Sequence, residues 1–191
     1  MNKFIVCSSQ QVLGRGDLIE AARIAKSAQA EEPTALPIIY NWETGRALDV
    51  DLSGSEADIA DWIALHHPDE VQQSSDTPTA SKRGRPKLGV VAKEVTLLPR
   101  HWEWLATQSG GASATLRRLV EQASRDPASE RRAHQDATYR LAQGIAGDAP
   151  GFEEAIRALY NEDEGSFYRY SEAWPDDIRD VCRERAQHAW S

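Results

Sequence analysis

The stretch "PDEVQQSSDTPTAS", residues 68–81, most limits what this chain can fold into. It is polar almost throughout and carries two prolines. Such a segment cannot bury enough apolar surface to offset the entropy of ordering it, so it reads as a linker. The chain has 191 residues, 40% of them hydrophobic, which suits a few small units on either side of that linker. The expected class is α+β. A small ββαββα-like domain spans 1–67, the linker 68–81, a basic arm plus a strand-helix-helix unit 82–126, and an all-helical region 129–191.

The N-terminal pattern is regular. "KFIVCS" and "QVLG" read as two short strands. Asp17 caps a predicted helix running to about Ala30, with Leu18, Ala21, Ala22 and Ala25 on one face. "LPIIYNWETGRALDVDL" predicts a hairpin: Ile38–Trp42, a turn over Glu43–Arg46, then Ala47–Leu52. Gly45 suits a positive φ in that turn. Leu48, Val50 and Leu52 alternate with Asp49 and Asp51, so one face is apolar and the other acidic. Ser55 caps a second helix that turns Ile59, Trp62 and Ile63 inward.

Charge is unevenly spread. The net formal charge is −8, yet residues 81–132 hold 11 Lys/Arg against 5 Asp/Glu. Residues 1–80 hold 5 against 13, and residues 133–191 hold 6 against 12. A basic centre between acidic flanks points to an anionic partner, or to acidic protein surfaces including its own flanks. Within the centre, "KEVTLLP" suits a strand and Pro99 the first turn of a helix bearing Trp102, Leu105 and Ala106 on one face. Gly110 and Gly111 end that helix, and Ser113 caps the next, whose apolar face is Leu116, Leu119, Val120 and Ala123. Arg117 and Arg118 fall on the outer side. A unit this small buries little by itself and calls for a partner chain or domain.

Residues 93–124 resemble the ribbon-helix-helix family of bacterial DNA-binding proteins. The resemblance implies a homodimer in which two copies of Lys93–Leu98 pair antiparallel in the major groove. It also implies a phosphate at the N-terminus of the second helix, around Ser113, with Arg117 and Arg118 on the backbone. The strand register stays open. If Leu98 is a core residue, then Lys93, Val95 and Leu97 face the DNA. The opposite register presents Glu94, Thr96 and Leu98. A one-residue slip exchanges the two faces. Neither face is rich in groups that read base edges. "KRGRPK" resembles an AT-hook, which implies Arg83 and Arg85 in a narrow A·T minor groove with Lys82 and Lys87 beside it. Over most of the chain, "GRPKLGVVAKEVTLLPRHWEWL", "GDAPGFEEAIRALY" and "WPDDIRD" resemble a bacterial family of unknown function, DUF2239. That resemblance lends no catalytic residues.

Other constellations carry little chemistry. Cys7 and Cys182 are too few and too far apart for a disulfide framework or a zinc site, and fit a cytoplasmic chain. The start has no signal-peptide pattern, and no apolar run is long enough for a membrane span. His66, His67, Asp69 and Glu70 read as a solvated linker start. Asp176 and Asp177 complement the first turn after Pro175. In the C-terminal region Ala133, Ala137, Leu141 and Ile145 share one face, then Phe152, Ile156 and Leu159, then Ile178, Val181 and Cys182. With no catalytic triad, metal spacing or phosphate loop legible, the chain is expected to be no enzyme and to need no cofactor or metal. The expectation is a dimeric DNA-binding protein, a regulator, favouring A·T-rich duplexes and with no membrane role. The alternative is a protein-interaction or dimerisation module.

Overall fold

β1 (Phe4–Cys7) is apolar at every position, and all four residues are buried. A strand of that kind is covered on both faces. The computed structural model describes residues 3–8, 11–34, 36–68, 70 and 93–190. Among them are eight helices and one four-stranded antiparallel sheet of order β2-β1-β3-β4. β2 is Val12–Gly16, β3 Ile38–Asn41 and β4 Ala47–Leu48. Helices α1 (Leu18–Glu31) and α2 (Glu56–His66) follow β2 and β4. β1 pairs with β2 through a bulge between Val6 and Cys7, and with β3 in the register Phe4↔Asn41 to Cys7↔Ile38.

The period of two along β1 separates two cores. Phe4 and Val6, with Ile39, pack against Leu18, Ala21, Ala22 and Ala25 of α1 and Ile59 and Ile63 of α2. Ile5 and Cys7, with Tyr40, pack on the opposite face against C-terminal helices. Those helices are α5 (Pro127–Ala146), α6 (Phe152–Tyr160), α7 (Glu164–Tyr170) and α8 (Asp176–Trp190). The first and last compositional segments thus share one core. Residues 1–76 and 130–191 form one unit, and residues 77–129 form another. Composition separates the acidic ends at 67 and 129, but it cannot reveal that a sheet with two apolar faces needs helices from both. Each fully buried Leu, Ile or Phe contributes about 1.5–3 kcal/mol to that core.

Local signals explain the element starts. The Asp17 side chain accepts from Glu20 N at 2.9 Å. Ser55 and Asp58 form a capping box: Ser55 N donates to Asp58 Oδ2 at 2.7 Å and Asp58 N to Ser55 Oγ at 3.3 Å. Ser55→Ala is expected to lower stability by about 1 kcal/mol, read as a shift in the urea midpoint at constant slope. The second arm of the hairpin is shorter than expected. β4 ends at Leu48, although Leu48, Val50 and Leu52 still pack on the α1–α2 core and Asp49 and Asp51 stay exposed. β4 is the sheet edge, and Asp51 Oδ1 accepts from Ser53 N at 2.9 Å, turning the chain away.

The β3–β4 turn is held at several points. Asn41 Oδ1 accepts from the backbone N–H groups of Glu43 and Thr44, both at 3.0 Å. Gly45 has φ +65°, as the turn demands, and its N–H reaches Asn41 O at 2.8 Å. Arg140 Nη1 of α5 donates to Thr44 O at 3.0 Å. The buried face of α5 begins at Gln135 and Ala137, whereas Ala133 is exposed. Cys7 and Cys182 are both buried, and burial pushes the Cys7 thiol up to about 12 and Cys182 upward as well. Trp62 stacks on His66 at 4.1 Å, and His66 Nδ1 lies 2.9 Å from Trp62 O, so the histidine closes its own helix.

Candidate nucleic-acid interface

The second unit is a two-helix hairpin preceded by extended chain. Residues 93–98 pair with no strand among the described residues. Of these residues only Leu97 is half-buried, and Lys93, Thr96 and the rest are exposed. Leu98 has φ −66° and ψ 151° and serves as the N-cap of α3 (Pro99–Ala106), with Pro99 entering the first turn. Leu105 is the buried residue of α3. At its C-terminus Thr107 Oγ1 donates to Trp104 O at 2.7 Å, and Gln108 Nε2 donates to the same oxygen at 3.3 Å.

Gly110 (φ +86°) and Gly111 (φ +74°) reverse the chain into α4 (Gly111–Ser124). Ser113 does not cap this helix. α4 starts at Gly111, with Gly110 as N-cap and no side-chain cap bond, so Ser113 lies inside the first turn and is exposed. The left-handed glycine does the turning directly, and a serine cap is not needed. The first turn of α4 therefore keeps backbone N–H groups that no capping side chain occupies.

The expected apolar face of α4 is uncovered in the single chain. Thr115, not Leu116, is the buried residue, and its Oγ1 has no hydrogen-bond partner among the described residues. Leu119 is 39% and Val120 66% exposed, and Ala123 is exposed too. Val95, Leu98, Trp102 and Trp104 are each between 42% and 52% exposed. Two short helices cannot enclose this much apolar surface.

Arg117 and Arg118 are both exposed, one turn and more into α4. Among the described residues neither makes an ion pair, nor does Lys93, whereas Arg125 is held by Glu121 at 2.6 Å. Arg117, Arg118 and Ser113 lie on one helix, and Lys93 and Thr96 lie on the segment leading into α3. Lys82, Arg83, Arg85 and Lys87 lie outside the described residues. The hairpin carries little net charge by itself, since residues 93–129 hold 5 Lys/Arg against 4 Asp/Glu. Most of the positive excess belongs to the arm.

Sequence reasoning missed a charged cluster in the other unit. Arg185 of α8, 1% exposed, donates from Nε to Trp42 O and from Nη2 to Glu43 O, both at 2.9 Å. The signal was present. Arg185 falls three residues after Cys182 and four before Ala189, on the buried stripe of α8. Among the described residues no group of His, Cys, Asp and Glu has the arrangement of a metal site. No described helix is long and apolar enough to cross a membrane.

A mixed α+β chain with a partly uncovered hairpin defines a class only loosely. The model of the family DUF2239, described as an uncharacterized protein conserved in bacteria, matches residues 3–186, and the chain belongs to that family. Neither the curated proteins nor the solved structures gave a match.

Proposed function

We propose that this chain is a homodimeric DNA-binding protein, acting as a regulator. Its hairpin unit would pair with a second copy and its basic arm would track the minor groove of A·T-rich duplexes. The observation that carries this reading is the contrast within residues 93–124. Leu105 and Thr115 are buried there, while Val95, Leu98, Trp102, Leu119 and Val120 stay open beside unpaired Lys93, Arg117 and Arg118. A second copy would cover the apolar residues and give Lys93–Leu98 a strand to pair with, in the manner of the ribbon-helix-helix proteins it resembles. The uncapped first turn of α4 supplies backbone donors for a phosphate, and Arg117 and Arg118 add cations to the same helix.

Sedimentation and gel shift on the full chain test the reading. The expected results are a dimer and a complex whose affinity falls steeply with salt, log K dropping by about 0.9 per phosphate contact for each log unit of salt. Replacing Arg83 and Arg85 together with alanine should weaken binding mainly on A·T-rich duplexes. A monomer that leaves duplex DNA unshifted at low salt sinks the proposal. Equal loss on G·C-rich DNA removes the AT-hook role of the arm.

The near-neutral hairpin and its exposed Trp102 and Trp104 favour one second reading, a protein-interaction module. It predicts self-association without any gel shift.

A further inference from the structure

Arg185 is a buried cation that forms no ion pair among the described residues, although the nearby charge of Glu43 favours its protonated form. Its guanidinium donates to the carbonyls of Trp42 and Glu43, at 2.9 Å each, and lies 5.9 Å from the centre of the Trp42 ring. The remaining partner is His134 of α5, whose Nδ1 is 3.3 Å from both Nη1 and Nη2. A guanidinium offers donors and no acceptor. Nδ1 must therefore accept, which makes His134 neutral with its proton on Nε2. The Trp42 ring also lies near a second guanidinium, that of Arg15, 4.8 Å from the ring centre and itself held by Glu184. The β3–β4 turn thus lies between α5, which grips it through Arg140, and α8, which grips it through Arg185.

We infer that His134 is the proton-sensitive member of this clamp: neutral, it completes the seat of Arg185, and protonated, it loosens the hold of α8 on the β3–β4 turn. Protonation converts Nδ1 from an acceptor into a donor that faces two donors. It also sets a second positive charge beside one already cut off from water. The groups facing His134 add to the effect. From α8 come Arg185 and His188, the latter with its ring 5.6 Å away. From the turn comes Glu43, which touches the cluster through its carbonyl. From α5 itself comes Glu130, which favours the charged imidazole. His134 is half-buried, so solvent protons reach it.

Burial, then the charges of Arg185 and His188, hold His134 below the ordinary histidine value. The unfolded chain then binds the proton more readily than the folded one. Stability is complete above the ordinary value near pH 6.5 and is lost as pH falls from there through the folded value.

The test uses the full chain. Melting temperature is measured at about pH 8 and about pH 5.5 for the wild type, His134→Gln and His188→Gln, on either side of the histidine range. Glutamine keeps an acceptor for Arg185 and does not titrate. The wild type should lose about 2–4 °C more than His134→Gln on acidification. His188→Gln should keep most of that loss. Equal losses in wild type and His134→Gln overturn the inference, as does a loss abolished by His188→Gln alone. Should His134→Gln fail to fold, histidine ring resonances of the wild type decide. A His134 midpoint below 6.5 supports the clamp, and a midpoint at or above it overturns it.

Discussion

Gly45→Val is expected to cost about 4 kcal/mol or more, enough to bring a domain of ordinary stability close to unfolding. Two effects add. Gly45 has φ +65°, which a β-branched residue adopts only under strain. A Cβ at this position would sit 1.9 Å from Ala137 O and 2.7 Å from its carbonyl carbon, both backbone atoms of α5. No rotamer change relieves a clash with backbone, so the turn must leave the helix. Because the offending atom is Cβ, Gly45→Ala should be nearly as damaging as Gly45→Val. Gly111→Ala is the comparison. It also has a positive φ, of +74°, but nothing lies within 4 Å of its added Cβ, so it should cost only about 1 kcal/mol. Far-UV circular dichroism against urea measures all three. A Gly45→Ala midpoint equal to that of Gly111→Ala would show that the turn is not pressed on α5.

Arg185→Ala is expected to destabilise by about 3 kcal/mol. Each turn carbonyl that loses its donor costs about 1–3 kcal/mol, less where water can return. Glu43 is exposed and its carbonyl recovers water; Trp42 is half-buried and recovers less. The vacated volume beside Trp42 and His134 adds a cavity cost. Arg185→Met separates the two contributions, since it keeps volume and removes the donors. Calorimetric or urea unfolding should place Arg185→Met between wild type and Arg185→Ala. Wild-type stability in Arg185→Met would mean that the hydrogen bonds to Trp42 and Glu43 contribute nothing net.

Much of the first unit is legible in the sequence because its signals are local. Asp17 and Ser55 cap the helices they precede, and Leu18, Ala21, Ala22 and Ala25 occupy the buried stripe that their spacing predicts. Gly45 has the conformation that its turn requires. What stayed hidden depends on distant partners. That Ile5 and Cys7 meet helices from the far end of the chain is not written in β1, which reads only as apolar on both faces. Arg185 breaks the rule that charges point outward, and only its acceptors on the β3–β4 turn explain why. In the hairpin unit, periodicity placed Leu116, Leu119 and Val120 inward, whereas the single chain buries Thr115 and leaves Val120 open. Periodicity identifies an apolar stripe, but not whether anything within the same chain covers it. Ser113 suits a cap by residue type, but Gly110 takes that position by conformation alone.

The joining of the outermost segments bears on how the protein is made. Arg15 and Glu184, which meet at 2.5 Å, are 169 positions apart in the chain. As the polypeptide emerges during synthesis, β1 can gather α1 and α2 early, but its other face stays bare until the C-terminal helices that share its core are released. Loops of that length close slowly, and an apolar strand waiting for its cover is what holding chaperones bind.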